Sequence, residues 1–289
     1  MSPMFPSAVL IAVTVLTPKL VAAPSELTVR IDESGAVIVP VSINGHGPFP
    51  FLLDTGSSHS VVSQSLADQL ALRFVAKTSV LTSTGREWRP VVNLDKTAIG
   101  GAQSEGLLAS VTPSAQLHGV ARGIEGVIGQ DFLCGLNYTL DYRNKRLVWS
   151  DERSDAGGSR VPLVAQGGRY LVRVTMAGSD RPVLLVPDSG ASGFVAYERN
   201  GRTTLALDSA AGSTAVHSLS GGQVARTMRL GELRLGSLTV RDQRVAVVAR
   251  DQDDVAEGDG VLPLHLFASV SFNARDGYLL LRPRFSNGF

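Results

Sequence analysis

The chain has 289 residues, of which 44% are hydrophobic and 18% charged, a balance that is typical of a globular protein. Lysine plus arginine number 27 and aspartate plus glutamate 26, so no overall field favours binding to nucleic acid or to an anionic membrane. With one cysteine, Cys134, the chain can form neither an internal disulfide nor a cysteine-based zinc cage. Because Cys134 lies in the apolar stretch DFLCGL, we expect it in the core.

The N-terminal segment differs from the rest of the chain. Residues 7–17, SAVLIAVTVLT, form an apolar run that is too short to cross a bilayer as a stable helix. The small residues Val21 and Ala23 follow, as at a signal cleavage site. We therefore predict a signal peptide over residues 1–23 and an exported protein, periplasmic or secreted, with a membrane anchor as the alternative if the segment is not cleaved.

The remainder of the chain contains an internal repeat. Two apolar runs joined by a turn lead to Asp54 in FLLDTGSS, and the same plan ends at Asp188 in LLVPDSGAS, 134 residues later. The stretches GVIGQDFL and GVLPLHLF, with Gly129 and Pro263, have the same separation. We infer a duplication. The predicted units are an N-terminal lobe over 24–149, a linker over 150–160 and a C-terminal lobe over 161–289.

Each lobe is predicted to be all-β, because short apolar runs alternate with turn residues as they do in barrels and sandwiches. A helix is predicted over 63–72, SQSLADQLAL, with Ser63 or Ser65 as its cap. The matching stretch of the second lobe contains Asn200-Gly201 and is not expected to keep this helix. The expected fold is two similar closed β-barrel-like lobes with a cleft between them.

The aspartates at the ends of the two apolar runs need an explanation, since an isolated buried charge is costly. If the two turns meet between the lobes, glycine permits their close approach, and the hydroxyls of Thr55 and Ser189 can hydrogen-bond across the seam. Two neighbouring carboxyls do not both ionise readily, so Asp54 and Asp188 would share one proton. A water between them would meet a base and an acid, which predicts peptide-bond hydrolysis without a metal ion or other cofactor.

These paired elements resemble the signatures of aspartic proteases, an Asp-Thr/Ser-Gly turn followed by a hydrophobic-hydrophobic-Gly element. Short lobes without disulfides are more similar to retropepsin-like proteases, and two fused lobes resemble a single-chain form of the retroviral dimer, as in a bacterial exported protein. The resemblance implies an aspartic endopeptidase that cleaves a peptide or protein substrate as a monomer, an intramolecular pseudo-dimer. It implies Asp54 and Asp188 as the catalytic pair, supported by the loop residues Thr55, Gly56, Ser57, Ser189, Gly190 and Ala191.

The resemblance also implies a flap hairpin in each lobe that closes over the substrate. In the first lobe the candidate is TSTGREWRP at 82–90, with Gly85 at the tip and Trp88 able to cover the substrate. In the second lobe SLSGGQ at 218–223, with Gly221 and Gly222, holds the equivalent place.

The second lobe departs from the family pattern at two prolines. Pro187 precedes Asp188, where an aliphatic residue with a free amide is usual, and Pro263 replaces a glycine. They leave open an alternative function, that of a catalytically inactive retropepsin-like binding or regulatory protein of the cell envelope. The lobes also differ in the residue that follows the glycine of each turn, which is Ser57 in the first lobe and Ala191 in the second. We expect the Ser57 hydroxyl to donate to Asp54, so that Asp188 more often carries the shared proton.

Other chemistries find little support in the sequence. The histidines lack metal-binding spacing and the acidic stretch 251–259 lacks the glycine and final glutamate of an EF-hand, so no metal is predicted. The residues around Ser192 lack the spacing of a serine-hydrolase elbow. Basic residues are scattered without aromatic residues between them, so no nucleic-acid partner is expected.

Overall fold

The computed structural model describes residues 19–20, 25–82, 85–150, 157–176, 181–218, 221–250 and 258–284. Nearly all of the predicted signal peptide and much of the predicted linker lie outside these residues. Among the described residues, no helix is both long and apolar enough to span a membrane.

The described chain is built almost entirely of strands, with few helical turns. The strands of the first half are β1 Lys19–Leu20, β2 Ser25–Thr28, β3 Arg30–Ile31, β4 Val37–Ile43, β5 His46–Leu53, β6 Ser60–Ser63, β7 Arg73–Thr82, β8 Gly85–Ile99, β9 Ala102–Thr112, β10 Gly126–Ile128, β11 Asn137–Asp141 and β12 Arg146–Trp149. Those of the second half are β13 Ser159–Gln166, β14 Arg169–Met176, β15 Val183–Asp188, β16 Phe194–Arg199, β17 Arg202–Thr203, β18 Leu207–Ser218, β19 Gly221–Leu235, β20 Leu238–Ala249, β21 Gly260–Pro263, β22 Phe267–Asn273 and β23 Tyr278–Pro283. The helices are α1 Gln64–Gln69, α2 Ser114–Val120, α3 Gln130–Leu133 and a 3₁₀ turn, Leu264–Leu266.

Each half forms a six-stranded ring. In the first half β9, β6, β10, β5, β4 and β8 pair in that order, and β8 closes the ring on β9. In the second half β20, β16, β21, β15, β14 and β19 repeat this order, and β19 closes the ring on β20. The pairings also agree in direction, because β5 with β10 and β15 with β21 are both parallel. The prediction of two similar closed β lobes is confirmed.

A third sheet joins the two halves and was not predicted from the sequence. Its strand order is β13, β23, β22, β11, β12 and β2, with three strands from each half and the antiparallel pair β22–β11 at its centre. Thr139 and Ser271 face each other in this pair with their hydroxyl oxygens 2.7 Å apart. Beside them the ring of Tyr138 stacks on that of Phe272, with centroids 4.7 Å apart. The two halves therefore share one sheet and an aromatic contact.

The C-terminal end of strand β5 is apolar because it is covered on both of its faces. Phe51 and Leu53 belong to the large core inside the lobes, whereas Leu52 packs in a smaller cluster with Leu117 of α2. All of these side chains are at most 1% exposed. The run of large apolar residues ends at Leu53, the last residue of the strand to be buried, and the next residue is Asp54.

Local residues explain the turn and the helix that were predicted. Asn44 and Gly45 connect β4 to β5 with positive φ values of 52° and 81°, which these two residue types tolerate. Helix α1 begins after Ser63, whose hydroxyl accepts a bond from the Leu66 N–H at 3.0 Å, and it is shorter than predicted. In the second lobe Asn200, with a φ of 52°, lies in a turn and no helix forms there.

Candidate active site

Asp54 and Asp188 lie in equivalent turns, where β5 and β15 end beside the strands that they pair with in parallel. The N–H of Asp54 donates to the carbonyl of Ile128 in β10 at 2.9 Å. Asp188 is the last residue of β15 and lies opposite Pro263 of β21. Each carboxyl therefore extends from the rigid end of a buried ring into the space between the lobes.

The two turns are joined by reciprocal hydrogen bonds between buried hydroxyls and backbone groups. The hydroxyl of Thr55 donates to the carbonyl of Pro187 at 2.7 Å and accepts from the Ser189 N–H at 3.0 Å. In the same way the hydroxyl of Ser189 donates to the carbonyl of Leu53 and accepts from the Thr55 N–H at 3.1 Å. We call these four bonds the cross-lobe grip. It holds the two aspartates in register.

Glycine follows Thr55 because the opposite carboxyl occupies the space of a side chain. A Cβ atom at Gly56 would lie 2.6 Å from Cγ of Asp188, a distance that non-bonded carbons do not adopt. At Gly190 the approach is less tight, since the same atom would lie 3.4 Å from Cγ of Asp54, an ordinary contact distance. The side chains of Asp54 and Asp188 are thereby brought within hydrogen-bonding reach of each other.

Backbone amides support the two carboxyls in the same pattern. Oδ1 of Asp54 accepts from the N–H groups of Gly56 and Ser57 at 2.9 and 3.0 Å. Oδ1 of Asp188 accepts from those of Gly190 and Ala191 at 2.7 and 3.1 Å. One oxygen of each carboxyl is thus held by two donors, which leaves the other oxygen for the partner carboxyl and for the cleft.

The two carboxyls nevertheless differ in their electrostatic environment. Burial raises the pKa of Asp54, but hydrogen bonds from Asp188, Gly56 and Ser57 and the positive charge of Arg169 oppose this. Burial also raises the pKa of Asp188, and the negative charge of Asp54 raises it further, well above the usual value of an aspartate. Both pKa values are therefore raised, and the charge of its neighbour adds to the rise at Asp188, which favours Asp188 as the carrier of the shared proton.

The prediction that the Ser57 hydroxyl creates this difference is wrong. That hydroxyl donates to the backbone carbonyl of His59 at 2.8 Å, and only the N–H of Ser57 reaches Asp54. Ala191 offers Asp188 the same backbone donor. That Asp188 more often carries the shared proton stays a prediction, and the Ser57 hydroxyl is not its cause.

A second layer of hydrogen bonds supports the first turn, and the sequence analysis missed it. The side-chain amide of Gln130 donates to the carbonyl of Thr55 at 2.8 Å. The hydroxyl of Ser60 donates to Asp131 at 2.6 Å and accepts from the Gly129 N–H at 3.1 Å. Gln130 and Asp131 directly follow the predicted hydrophobic-hydrophobic-Gly element. This position beside the element is the feature of the sequence that could have indicated their role.

Sequence comparison identifies the family. A model of the aspartyl protease family matches the chain twice, over residues 39–132 and 172–263, which together make up more than half of its length. The chain belongs to the aspartyl protease family. Each match contains one of the two aspartates and the strand that pairs with it in parallel.

Two solved structures show the same fold at low sequence identity, and a third matches one part of the chain. The aspartic proteinase from Irpex lacteus is 12% identical, with a TM-score of 0.52 over 92% of this chain and 99% of that one. Basic 7S globulin from soybean is 12% identical, with a TM-score of 0.53 over 91% of this chain and 95% of that one. A retropepsin-like aspartic protease from Rickettsia conorii is 16% identical and matches 46% of this chain and 93% of its own, with a TM-score of 0.33. No curated protein matches the chain significantly.

Pro187 is compatible with the cross-lobe grip. Its carbonyl, which proline retains, accepts the bond from the Thr55 hydroxyl. Leu53 has the equivalent role in the first lobe, again through its carbonyl. The missing N–H of Pro187 therefore removes no bond of the grip.

Pro263 coincides with a second replacement that removes its usual partner. In the first lobe the Gly129 N–H donates to the Ser60 hydroxyl. At the equivalent positions of the second lobe stand Pro263, without an N–H, and Phe194, without a hydroxyl. Donor and acceptor are lost together, so this difference leaves neither group unsatisfied.

Two hairpins occupy the positions of the predicted flaps. In the first, β7 and β8 pair from Arg73 opposite Asn93 to Thr82 opposite Gly85. Gly85 therefore lies at the start of β8 and not at the tip of the hairpin as predicted. Trp88 is 68% exposed on this hairpin. In the second, Gly221 and Gly222 begin β19 opposite the end of β18. Residues 83–84 and 219–220, which connect the strands, lie outside the described residues.

Two further observations concern ligands and the single cysteine. Within the described ranges, no group of three or more His, Cys, Asp or Glu is placed to hold a metal ion. The expectation of a core position for Cys134 is wrong, because this residue is exposed at the end of α3 and its Sγ lies 3.5 Å from the hydroxyl of Tyr170.

Proposed function

We propose that this protein is an aspartic endopeptidase in which Asp54 and Asp188 activate a water molecule for peptide hydrolysis. The observation that carries the proposal is the close approach of two carboxyls from equivalent turns, each braced by two backbone N–H groups and both fixed by the cross-lobe grip. Such a pair contains both the base and the acid that the reaction needs.

The chemistry follows from the unequal carboxyls. Asp54, which ionises first, takes a proton from the water as its oxygen bonds to the carbonyl carbon of the substrate. The proton on Asp188 goes to the carbonyl oxygen, so that the carbonyl π bond opens into a tetrahedral diol without an uncompensated charge. When the C–N bond breaks, the leaving nitrogen takes the proton held by Asp54, a diol hydroxyl returns its proton to Asp188, and the pair regains its starting state.

The substrate class and the oligomeric state are part of the same proposal. Because each half supplies one aspartate, one chain completes the pair, and we propose a monomer that acts as an intramolecular pseudo-dimer on peptide or protein substrates. The two hairpins with Trp88 and with Gly221 and Gly222 are proposed to close over the bound peptide. Export by the N-terminal segment stays a prediction from the sequence.

Cleavage of a peptide library by the purified protein between pH 3 and 8 tests this function. Asp54→Asn and Asp188→Asn should each abolish cleavage, whereas Asp68→Asn, at an exposed carboxyl of α1, should leave it unchanged. Silence of the wild type at every pH would instead support the alternative, a catalytically inactive binding or regulatory protein of the cell envelope. Full activity of either dyad variant would refute the shared-water mechanism.

A further inference from the structure

The hydrogen bonds around the dyad do not by themselves decide which carboxyl is ionised. Each Oδ1 accepts from two backbone N–H groups at 2.7 to 3.1 Å, and the same four-bond grip lies beneath both. In a symmetric site the proton would divide its time equally between Asp54 and Asp188. An asymmetric charge outside the two turns is one way to localise it, and unequal burial is another.

The hairpin between β13 and β14 brings one such charge to the first lobe. A Cβ atom at Gly168 would lie 3.5 Å from Cβ of Ser58, in the turn that carries Asp54. The hydroxyl of Tyr170 accepts from the Gly135 N–H at 3.4 Å, in the segment that follows α3 of the first lobe. Arg169 stands between these two contacts and is partly buried. Its positive charge is the smallest of the influences that lower the pKa of Asp54, after the hydrogen bonds.

The matching hairpin of the first lobe carries no charge at this position. There Gly35 approaches the second lobe, where its Cβ atom would meet the ring of His265 at 2.4 Å. The next residue, which corresponds to Arg169, is the buried Ala36. At this position of the hairpin, a charge is therefore present on the side of Asp54 and absent from the equivalent place in the other lobe.

The remaining charged and titratable groups do not mirror Arg169. Beside Asp54, Asp131 is bonded to Ser60, and His59 is exposed. On the side of Asp188, burial lowers the pKa of His265, whose ring is hydrogen-bonded to the carbonyl of Ala191. Also on that side, Arg284 is exposed and donates to the carbonyl of His265 at 2.9 Å, Asp32 is bonded to Ser34, and Tyr142 is buried.

We propose that Arg169 is a positioning residue that keeps the negative charge of the dyad on Asp54 and the proton on Asp188. The proposal deepens the function proposed above and rests on it for its catalytic meaning. Arg169 need not touch the substrate, since it acts through the charge of Asp54. It makes Asp54 the base and Asp188 the acid in a site whose other parts are nearly symmetric.

Two measurements on the full-length protein test this assignment. The first is NMR titration of carboxyl-labelled aspartates, which follows Asp54 and Asp188 without any substrate. The second is the pH profile of kcat/KM for peptide cleavage. Both are carried out on the wild type, on Arg169→Gln and Arg169→Lys, and on Arg173→Gln as a matched control at an exposed arginine of the same strand.

In the wild type, Asp54 should ionise first and Asp188 should hold the proton between the two titration steps. In Arg169→Gln the first step and the acidic limb of the profile should move to higher pH, with a loss of roughly threefold to tenfold in kcat/KM on that limb. Arg169→Lys should retain much of the wild-type behaviour because it keeps the charge, and Arg173→Gln should retain all of it.

The proposal is overturned if Asp54 carries the proton in the wild type, an observation that needs no variant to fold. It is also overturned if Arg169→Gln titrates like the wild type, or if Arg169→Lys shifts as far as Arg169→Gln. The NMR titration separates this proposal from the proposed function, because a protein without peptidase activity still titrates. Absence of cleavage in the wild type together with the expected NMR shifts would refute the endopeptidase and leave the charge assignment intact.

Discussion

Removal of the Thr55 hydroxyl tests the cross-lobe grip most directly. Thr55→Val keeps the shape of the side chain but deprives the Ser189 N–H of its acceptor and the Pro187 carbonyl of its donor. Thr55 is fully buried, so water does not replace either partner. A buried polar group without a partner costs about 1–3 kcal/mol. Two such groups set the expected loss in the free energy of unfolding at about 2–6 kcal/mol.

Urea denaturation of the wild type, Thr55→Val and Thr55→Ser measures this loss. Thr55→Ser keeps the hydroxyl and removes one methyl group, for which about 1 kcal/mol is expected. The midpoint should fall much further in Thr55→Val than in Thr55→Ser, with the slope against urea unchanged. Equal stability of the two variants would refute the view that the hydroxyl bonds hold the lobes together.

Four further changes have expected outcomes. Burial and the charge of Asp54 raise the pKa of Asp188, so the stability that this group contributes is complete below its ordinary pKa and is lost as the pH rises through the raised value. Asp188→Asn should therefore unfold like the wild type at pH 3 and be more stable than the wild type by about 1 kcal/mol at pH 8. Thermal melts in which the two proteins stay equal at both pH values would contradict this. Gly56→Ala places a methyl group against the carboxyl of Asp188 and should lower kcat about 100-fold, measured by single-turnover cleavage. A normal rate would show that the two turns can move apart enough to accept the methyl group. Ser60→Ala leaves a buried N–H without its acceptor and should cost about 1–3 kcal/mol in urea denaturation, against which Ser65→Ala serves as an exposed control. Trp88→Ala, at an exposed position, should change the unfolding free energy by less than about 0.5 kcal/mol but raise KM, and a loss of stability with an unaltered KM would argue against a role in substrate binding.

The parts of the fold that were predictable from the sequence are those that the repeat displays twice. The strands that end at Asp54 and Asp188 and the apolar elements that follow them at Gly129 and Pro263 are indicated by equal spacing of similar motifs. The hairpins at the flap positions were expected from the resemblance to aspartic proteases. The shared sheet was missed because its central pair joins residues such as Thr139 and Ser271, which are far apart in the chain and carry no local turn signal. Pairing over such distances leaves no periodic pattern within a short window.

The same reasoning from similarity concealed the features in which the lobes differ. Comparison of equivalent positions directed attention to Ser57 and Ala191, whose side chains do not touch the carboxyls. It passed over Arg169 because the corresponding residue, Ala36, belongs to no motif. It placed Cys134 in the core from its apolar neighbours, although the end of a short helix leaves this residue exposed. Side-chain direction at turns and helix ends depends on tertiary contacts that composition does not encode.

The shared sheet has a consequence for how the polypeptide is divided. Strands β2, β12 and β11 make a three-stranded piece whose open edge is β11, and β13, β23 and β22 make the complementary piece whose open edge is β22. A fragment that ended between the two halves would present a row of unpaired backbone groups and a bare Tyr138 ring. Two such fragments, expressed as separate chains, would therefore be expected to find each other and to rebuild both the sheet and the seam above it, as the halves of a split reporter do.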